Sequence, residues 1–173
     1  ANLCERAQKK PVREGLLIGP GGLCDYVIVN TGYLFKIPDT LSYEEASLTE
    51  PLACVVHSVT KANIQLGEDV VVIGGGIMGQ YHVMLAKRRG ARVIMSEVDE
   101  NRRALAQKLG ADITFNPMEK DPVEYVKSLT EGRGADVVFN TTAIPSVVPQ
   151  AIAMTGKAGR MIQYSSMHPD APA

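Results

Sequence analysis

The sequence is poor in cysteine, has no tryptophan and shows no excess of either charge. Its three cysteines, Cys4, Cys24 and Cys54, are odd in number, lie far apart and form no CxxC pair. That excludes a disulfide framework and predicts reduced thiols in a cytoplasmic setting. Three lone cysteines also cannot by themselves close a four-ligand zinc site. Lys and Arg number 18 against 19 Asp and Glu, a net charge of −1. A near-neutral balance gives no electrostatic reason to bind nucleic acid or a membrane surface. No apolar run approaches the roughly 18 residues of a membrane-spanning helix. The opening ANLCERAQKKPVRE has no apolar stretch of the signal-peptide kind. Internal repeats, low-complexity tracts and Ser/His/Asp or Cys/His arrangements are missing too. What is present is ordinary for a soluble globular protein: 173 residues, 45% hydrophobic and 21% charged, enough for one domain or one and a piece.

The pattern changes near residue 40. Before it, residues 1–20 are polar and irregular. Residues 23–37 read as a hairpin, with Tyr26-Val27-Ile28-Val29, a turn at Asn30-Thr31-Gly32, and Leu34-Phe35-Lys36-Ile37 stopped by Pro38. After it, Ser42 and Glu45 form a capping box that predicts one helix running to about Lys61. Short apolar strands then alternate with amphipathic helices. The strands are 70–73, 92–97, 112–115, 136–139 and 161–164, and the helices are 77–89, 99–109, a segment starting at Asp121-Pro122, and 145–155. Such alternation predicts an α/β fold of the Rossmann type, a doubly wound parallel sheet with helices on both faces.

Between the first strand and its helix lies Gly74-Gly75-Gly76-Ile77-Met78-Gly79, in which Gly74, Gly76 and Gly79 fit GxGxxG. The motif alone is weak. Here it follows an apolar strand, opens a helix, and is answered by an acid, Glu97, 18 residues after Gly79 at the end of the next strand. That context is the dinucleotide-binding fingerprint. Gly74 is expected to permit the turn, Gly76 to leave room for a pyrophosphate and Gly79 to let helix and strand approach. The amides of Ile77 and Met78 at the helix start would attract the phosphates. Glu97 would accept from the ribose hydroxyls and repel a 2′-phosphate, favouring NAD over NADP, while Arg102 and Arg103 nearby weaken that preference. The crevice between the first and fourth strands makes Thr141, Thr142, Ser165 and Ser166 candidates for the nicotinamide half. His57 reads as a packed side chain, with support of a neighbouring site residue as the alternative, and His82, inside the helix after the glycine motif, has no partner that suggests catalysis.

These residues, taken with GGLCDYVIV (21–29), LFKIPD (34–39), SYEEASLTEPLAC (42–54), LGEDVVVIGGGIMG (66–79), LAQKLGAD (105–112) and GRGADVVFN (132–140), resemble the medium-chain, zinc-dependent alcohol dehydrogenase superfamily. The EPLA segment resembles its polyol (sorbitol) and threonine dehydrogenase branch. The resemblance implies reversible oxidation of a secondary alcohol, a small-molecule substrate, by NAD, with catalytic zinc and a homo-oligomeric parent. It places Glu50 at the catalytic zinc. It matches Cys4 to the last cysteine of a structural-zinc lobe; the other three are absent from this sequence, which leaves Cys4 a free thiol. It also divides the chain into a remnant of the GroES-like catalytic domain, residues 1–39, and an NAD-binding domain, residues 40–173. The family's cysteine and histidine–glutamate zinc ligands are absent, as is its sixth strand. A fragment inactive by itself is therefore expected, with the fifth strand as a bare edge. The alternatives are a non-catalytic NAD-binding module, a zinc-free NADPH quinone reductase-like enzyme, or a methyltransferase. Glu50-Pro51 and the complete glycine motif speak against the last two.

Overall fold

The computed structural model describes residues 25, 26 and 30–166. Cys4, Cys24, Val27–Val29 and His168 lie outside the described residues. The chain divides into two compact units, Ala1–Ser42 and Tyr43–Ala173.

In the first unit the expected turn is a 3-10 helix, Thr31–Tyr33, capped by the Asn30 side chain, which accepts from the Gly32 N–H. The expected second arm of the hairpin, Leu34–Ile37, is not a strand. Leu34 has extended dihedrals, but an extended segment becomes a strand only by pairing, and no ladder is formed on it among the described residues.

The second unit runs α1 (Tyr43–Ser47), α2 (Thr49–Ala62), β1 (Asp69–Ile73), α3 (Ile77–Arg88), β2 (Arg92–Ser96), α4 (Glu100–Lys108), β3 (Ile113–Phe115), α5 (Pro122–Leu129), β4 (Ala135–Asn140), α6 (Val147–Met154) and β5 (Thr155–Gln163). The single helix expected from Ser42 to Lys61 is thus two helices that meet at Leu48. Pro51 is the cause. Its nitrogen has no hydrogen to give the Ser47 carbonyl, and its ring crowds that carbonyl, so the first helix ends there. In the first turn of α2 the same proline does no harm.

The strands form one sheet in the order β3-β2-β1-β4-β5, and every pairing is parallel. Strands buried on both faces must be apolar at consecutive positions, and β1 shows why. Val70 and Val72 join a core with Val55 and Val59 of α2 and Val83 and Ala86 of α3. Val71 and Ile73 point the other way, into a core with Val126 of α5 and Ala151 and Met154 of α6. Side chains as fully buried as Phe139 or Ile94 stabilise by roughly 1.5–3 kcal/mol each. β5 begins at Thr155, earlier than its apolar residues announce, and its register against β4 shifts between Ala135 and Val137. The two windings diverge at β1 and β4, which leaves a crevice at their carboxyl ends.

Candidate nucleotide-binding site

That crevice holds a cavity of about 640 Å³. Its lining includes Gly74, Gly76, Ile77, Met78, Gly79, Glu97, Arg102, Thr141 and Thr142. The structure therefore brings nine of the residues singled out in the sequence for a cofactor to one cavity. Ser165 and Ser166, following β5, are not part of that lining.

The turn from β1 into α3 is built by its glycines. Gly74 takes φ +95°, and a side chain there would strike Thr141 Oγ1 at 2.8 Å. A Cβ on Gly79 would lie 1.8 Å from the Gly74 carbonyl oxygen, an impossible contact. A Cβ on Gly76 would meet nothing within 4 Å, so that residue borders free space. Gly76 is also the N-cap of α3 and has no side chain to cap the helix. No acidic residue stands in the first turn. The amides at this helix start and the positive end of its dipole are thus left for an anion.

Across the turn sits Glu97, 6% exposed. One carboxylate oxygen accepts from the Asp99 N–H at 2.9 Å, the other from the Gly75 N–H in a short hydrogen bond. Each oxygen keeps a further acceptor site. Asp99 in turn caps α4 by accepting from Arg102 N–H. Arg103 is committed elsewhere, donating to the carbonyls of Glu97 and Val98, whereas Arg102 is exposed beside the cavity. Thr141 Oγ1 donates to the Ile73 and Gly74 carbonyls at 2.8 and 3.2 Å, and Thr142 Oγ1 to Asn140 Oδ1 at 2.8 Å. With their hydrogens used, both hydroxyls have only acceptor lone pairs left to offer.

Sequence reasoning missed the apolar rim. Val98, Met118 and Ile144 line the cavity and are 57%, 80% and 53% exposed. Isolated loop residues carry no periodicity. The one signal available was position, since Val98 follows Glu97 and Ile144 follows the end of β4.

His82, on α3, is fully buried. Its Nδ1 lies 2.8 Å from the Met78 carbonyl and its Nε2 2.9 Å from Ser58 Oγ. A carbonyl can only accept, so Nδ1 carries the hydrogen and Nε2 accepts from Ser58. Burial holds this ring's pKa down at about 4. Its faces meet Phe139 and Tyr164 at 4.5 and 4.8 Å between centroids.

Glu50 stands on α2 and is exposed, so the burial cost that would call for a metal at this position does not arise. Its Oε1 accepts from Cys54 Sγ at 3.3 Å, and that hydrogen bond, with burial and the adjacent negative charge, raises the thiol's pKa. His57 is likewise exposed and not the packed side chain expected. Among the described residues no group of three His, Cys, Asp or Glu could hold a metal, and no helix is long and apolar enough to cross a membrane.

A five-stranded parallel sheet in this order, with a glycine turn, an uncapped helix start and a buried acid at one crevice, defines a Rossmann-type nucleotide-binding fold. More narrowly, the chain belongs to the zinc-binding dehydrogenase family, whose sequence profile matches residues 78–172, more than half of it. It is 36% identical to D-arabitol-phosphate dehydrogenase of Enterococcus avium over 166 residues, 94% of this chain and 46% of that protein. It is 35% identical to L-threonine 3-dehydrogenase of Caldanaerobacter subterraneus subsp. tengcongensis over 165 residues, 93% of this chain and 45% of that protein. A solved zinc-binding dehydrogenase from Sinorhizobium meliloti 1021, bound to NADP, superimposes with a TM-score of 0.73 at 30% identity, over 80% of this chain and 41% of that one. The resemblance to polyol and threonine dehydrogenases read from the motifs therefore holds. The chain spans under half the length of these relatives.

Proposed function

We propose that the second unit binds NAD in the β1–β4 crevice as the cofactor domain of a zinc-dependent dehydrogenase that oxidises a secondary alcohol, such as a polyol or a threonine-like substrate. The observation that carries this reading is Gly76. It combines open space where a side chain would stand with an uncapped, acid-free helix start, which is what a pyrophosphate needs. In this reading Ile77 and Met78 offer backbone amides to the phosphates. Glu97 accepts from the adenosine ribose hydroxyls through the acceptor sites its backbone bonds leave free. Val98 and Ile144 give the base an apolar seat, and Thr141 and Thr142 border the nicotinamide side. When bound, NAD supplies the hydride acceptor. The buried Glu97 carboxylate favours NAD over its 2′-phosphorylated form by charge repulsion.

The described residues do not make a zinc site; the zinc reading rests on membership of the zinc-binding dehydrogenase family, with Glu50 as the one described residue it places at the metal. We assign residues 1–39 to a catalytic-domain remnant and 40–173 to the cofactor domain, in a cytoplasmic enzyme that assembles as a homo-oligomer and whose isolated piece does not turn over.

The test is a titration of the chain with NADH and NADPH, read by nucleotide fluorescence against a protein without tryptophan. Saturable NADH binding, weakened about tenfold or more in Glu97→Ala, is expected, since hydrogen bonds to a charged group contribute roughly 1.5–3 kcal/mol. Failure of the folded chain to bind either nucleotide overturns the proposal.

A further inference from the structure

We infer that Gln80 is a positioning residue whose amide locks the adenosine end of the crevice and thereby sets the preference for NADH over NADPH; this rests on the cofactor reading above. Gln80 follows Gly79 on α3 and is 6% exposed. Its Nε2 donates to two backbone carbonyls, that of Gly75 in the glycine turn at 3.0 Å and that of Arg102 in α4 at 2.9 Å. Two carbonyls fix the amide's orientation, because only the NH₂ end can serve both. The other end, Oε1, is then buried without a hydrogen-bond partner. An unmet buried acceptor is destabilising, a penalty an aliphatic residue here would not incur. What the glutamine gains in exchange is a bridge between two elements that share no strand pairing.

Those two elements flank the charges proposed to meet the ribose, Glu97 after β2 and Arg102 on α4. Gly75 is held on both sides, its carbonyl by Gln80 and its N–H by Glu97. There is no slack around it. A Cβ on Gly75 would lie 2.8 Å from Glu97 Cγ and 3.2 Å from Arg102 Cβ. The Arg102 carbonyl hangs from the same amide, so the spacing between the pinned carboxylate and the exposed guanidinium is fixed through one side chain. With the carboxylate pinned, a 2′-hydroxyl finds an acceptor and a 2′-phosphate finds a like charge. Once the clamp is released, the glycine turn can shift away from α4 and loosen the Gly75 N–H bond to Glu97, which is then held by the Asp99 N–H alone and leaves the Arg102 cation to dominate.

Gln80→Leu and Gln80→Met remove the donors while keeping an apolar side chain of similar size in the core. Titrating each full chain with NADH and NADPH, the ratio of the NADPH to the NADH dissociation constant is expected to fall about tenfold, with the urea midpoint lowered by the two carbonyls left without their donor and the loss partly offset because the orphan oxygen is gone. A purely structural glutamine would leave that ratio alone. Should neither variant fold, Gly75→Ala pushes Glu97 from the opposite side, and the same fall is expected. NADH binding with an unchanged ratio in any folded one of these variants overturns the clamp alone. No saturable NADH binding by the unsubstituted chain overturns the cofactor reading instead.

Discussion

The two ends of the parallel sheet treat their polar groups in opposite ways. At the amino ends of the strands the chain closes upon itself. The Asp69 N–H is met by Asp136 Oδ2 and the Val93 N–H by Asp112 Oδ2, each at 2.8 Å. Arg92 pairs with Asp69 at 2.5 Å, Arg160 with Glu68 at 2.5 Å and Lys87 with Asp112 at 2.6 Å. Burial pushes the Glu68 and Asp112 carboxyls up, but the hydrogen bonds from Arg160 and Lys87, with backbone N–H groups, outweigh it and hold both below the usual carboxylate range. At the carboxyl ends the chain does the reverse. The first turn of α3 has neither a capping side chain nor an acid, and glycine replaces bulk beside the cavity. Satisfied backbone stabilises a fold; unsatisfied backbone at a helix start recruits a ligand. The same strands serve both ends, and the difference lies in where the chain puts its own carboxylates.

The largest effect that sharpens this contrast comes from Gly79→Ala. The new Cβ would lie 1.8 Å from a backbone oxygen with no flexible side chain to yield. The turn must open, at about 3 kcal/mol or more, and urea melts should show a strongly destabilised or unfolded chain.

Acid breaks the contrast from the middle of the fold. His82 has a folded pKa of about 4 against 6.5 unfolded. The unfolded chain therefore takes up the proton first. Stability present above pH 6.5 is lost as pH falls toward 4 and levels off below it, a loss of about 3 kcal/mol from this ring. Urea midpoints measured across that window should fall steeply in the parent chain and less in His82→Gln.

Much of this was legible before the fold was known, and the reasons differ by residue. Val70–Ile73 announce a strand buried on both faces because both periods of the pleat must be apolar. Glu97 is legible because an acid at that distance from a glycine motif has few other reasons to be there. The break at Leu48 was hidden because the capping box and apolar run continue through it, and only the missing Pro51 hydrogen tells of it. Gln80 was hidden because a polar residue on an amphipathic helix reads as surface, and its two carbonyl partners come from segments 5 and 22 residues away. Hydrogen bonds between distant backbone groups leave no pattern in a sequence.

Within the closed end, Asp112→Ala leaves the Val93 N–H and Lys87 without their acceptor. A loss of about 1–3 kcal/mol is expected, seen as a lower urea midpoint. The NADH dissociation constant should stay where it was, because Asp112 lies at the other end of the strands from the cavity. A change in affinity equal to that of a crevice variant would show that the two ends are not independent.

Gly76→Ala is the mirror image and the smallest in folding energy. The added methyl meets nothing in the folded chain and the residue's φ of −67° suits alanine, so stability should change by no more than about 0.5 kcal/mol. The same methyl would occupy the space a pyrophosphate needs and hold it off the amides at the start of α3. NADH affinity should fall at least about tenfold. The two readings come from one sample, a melt and a fluorescence titration. An unchanged melt with lost binding assigns the emptiness beside Gly76 to the nucleotide. An unchanged melt with unchanged binding means that the phosphates pass elsewhere, and the uncapped helix start would then need another occupant.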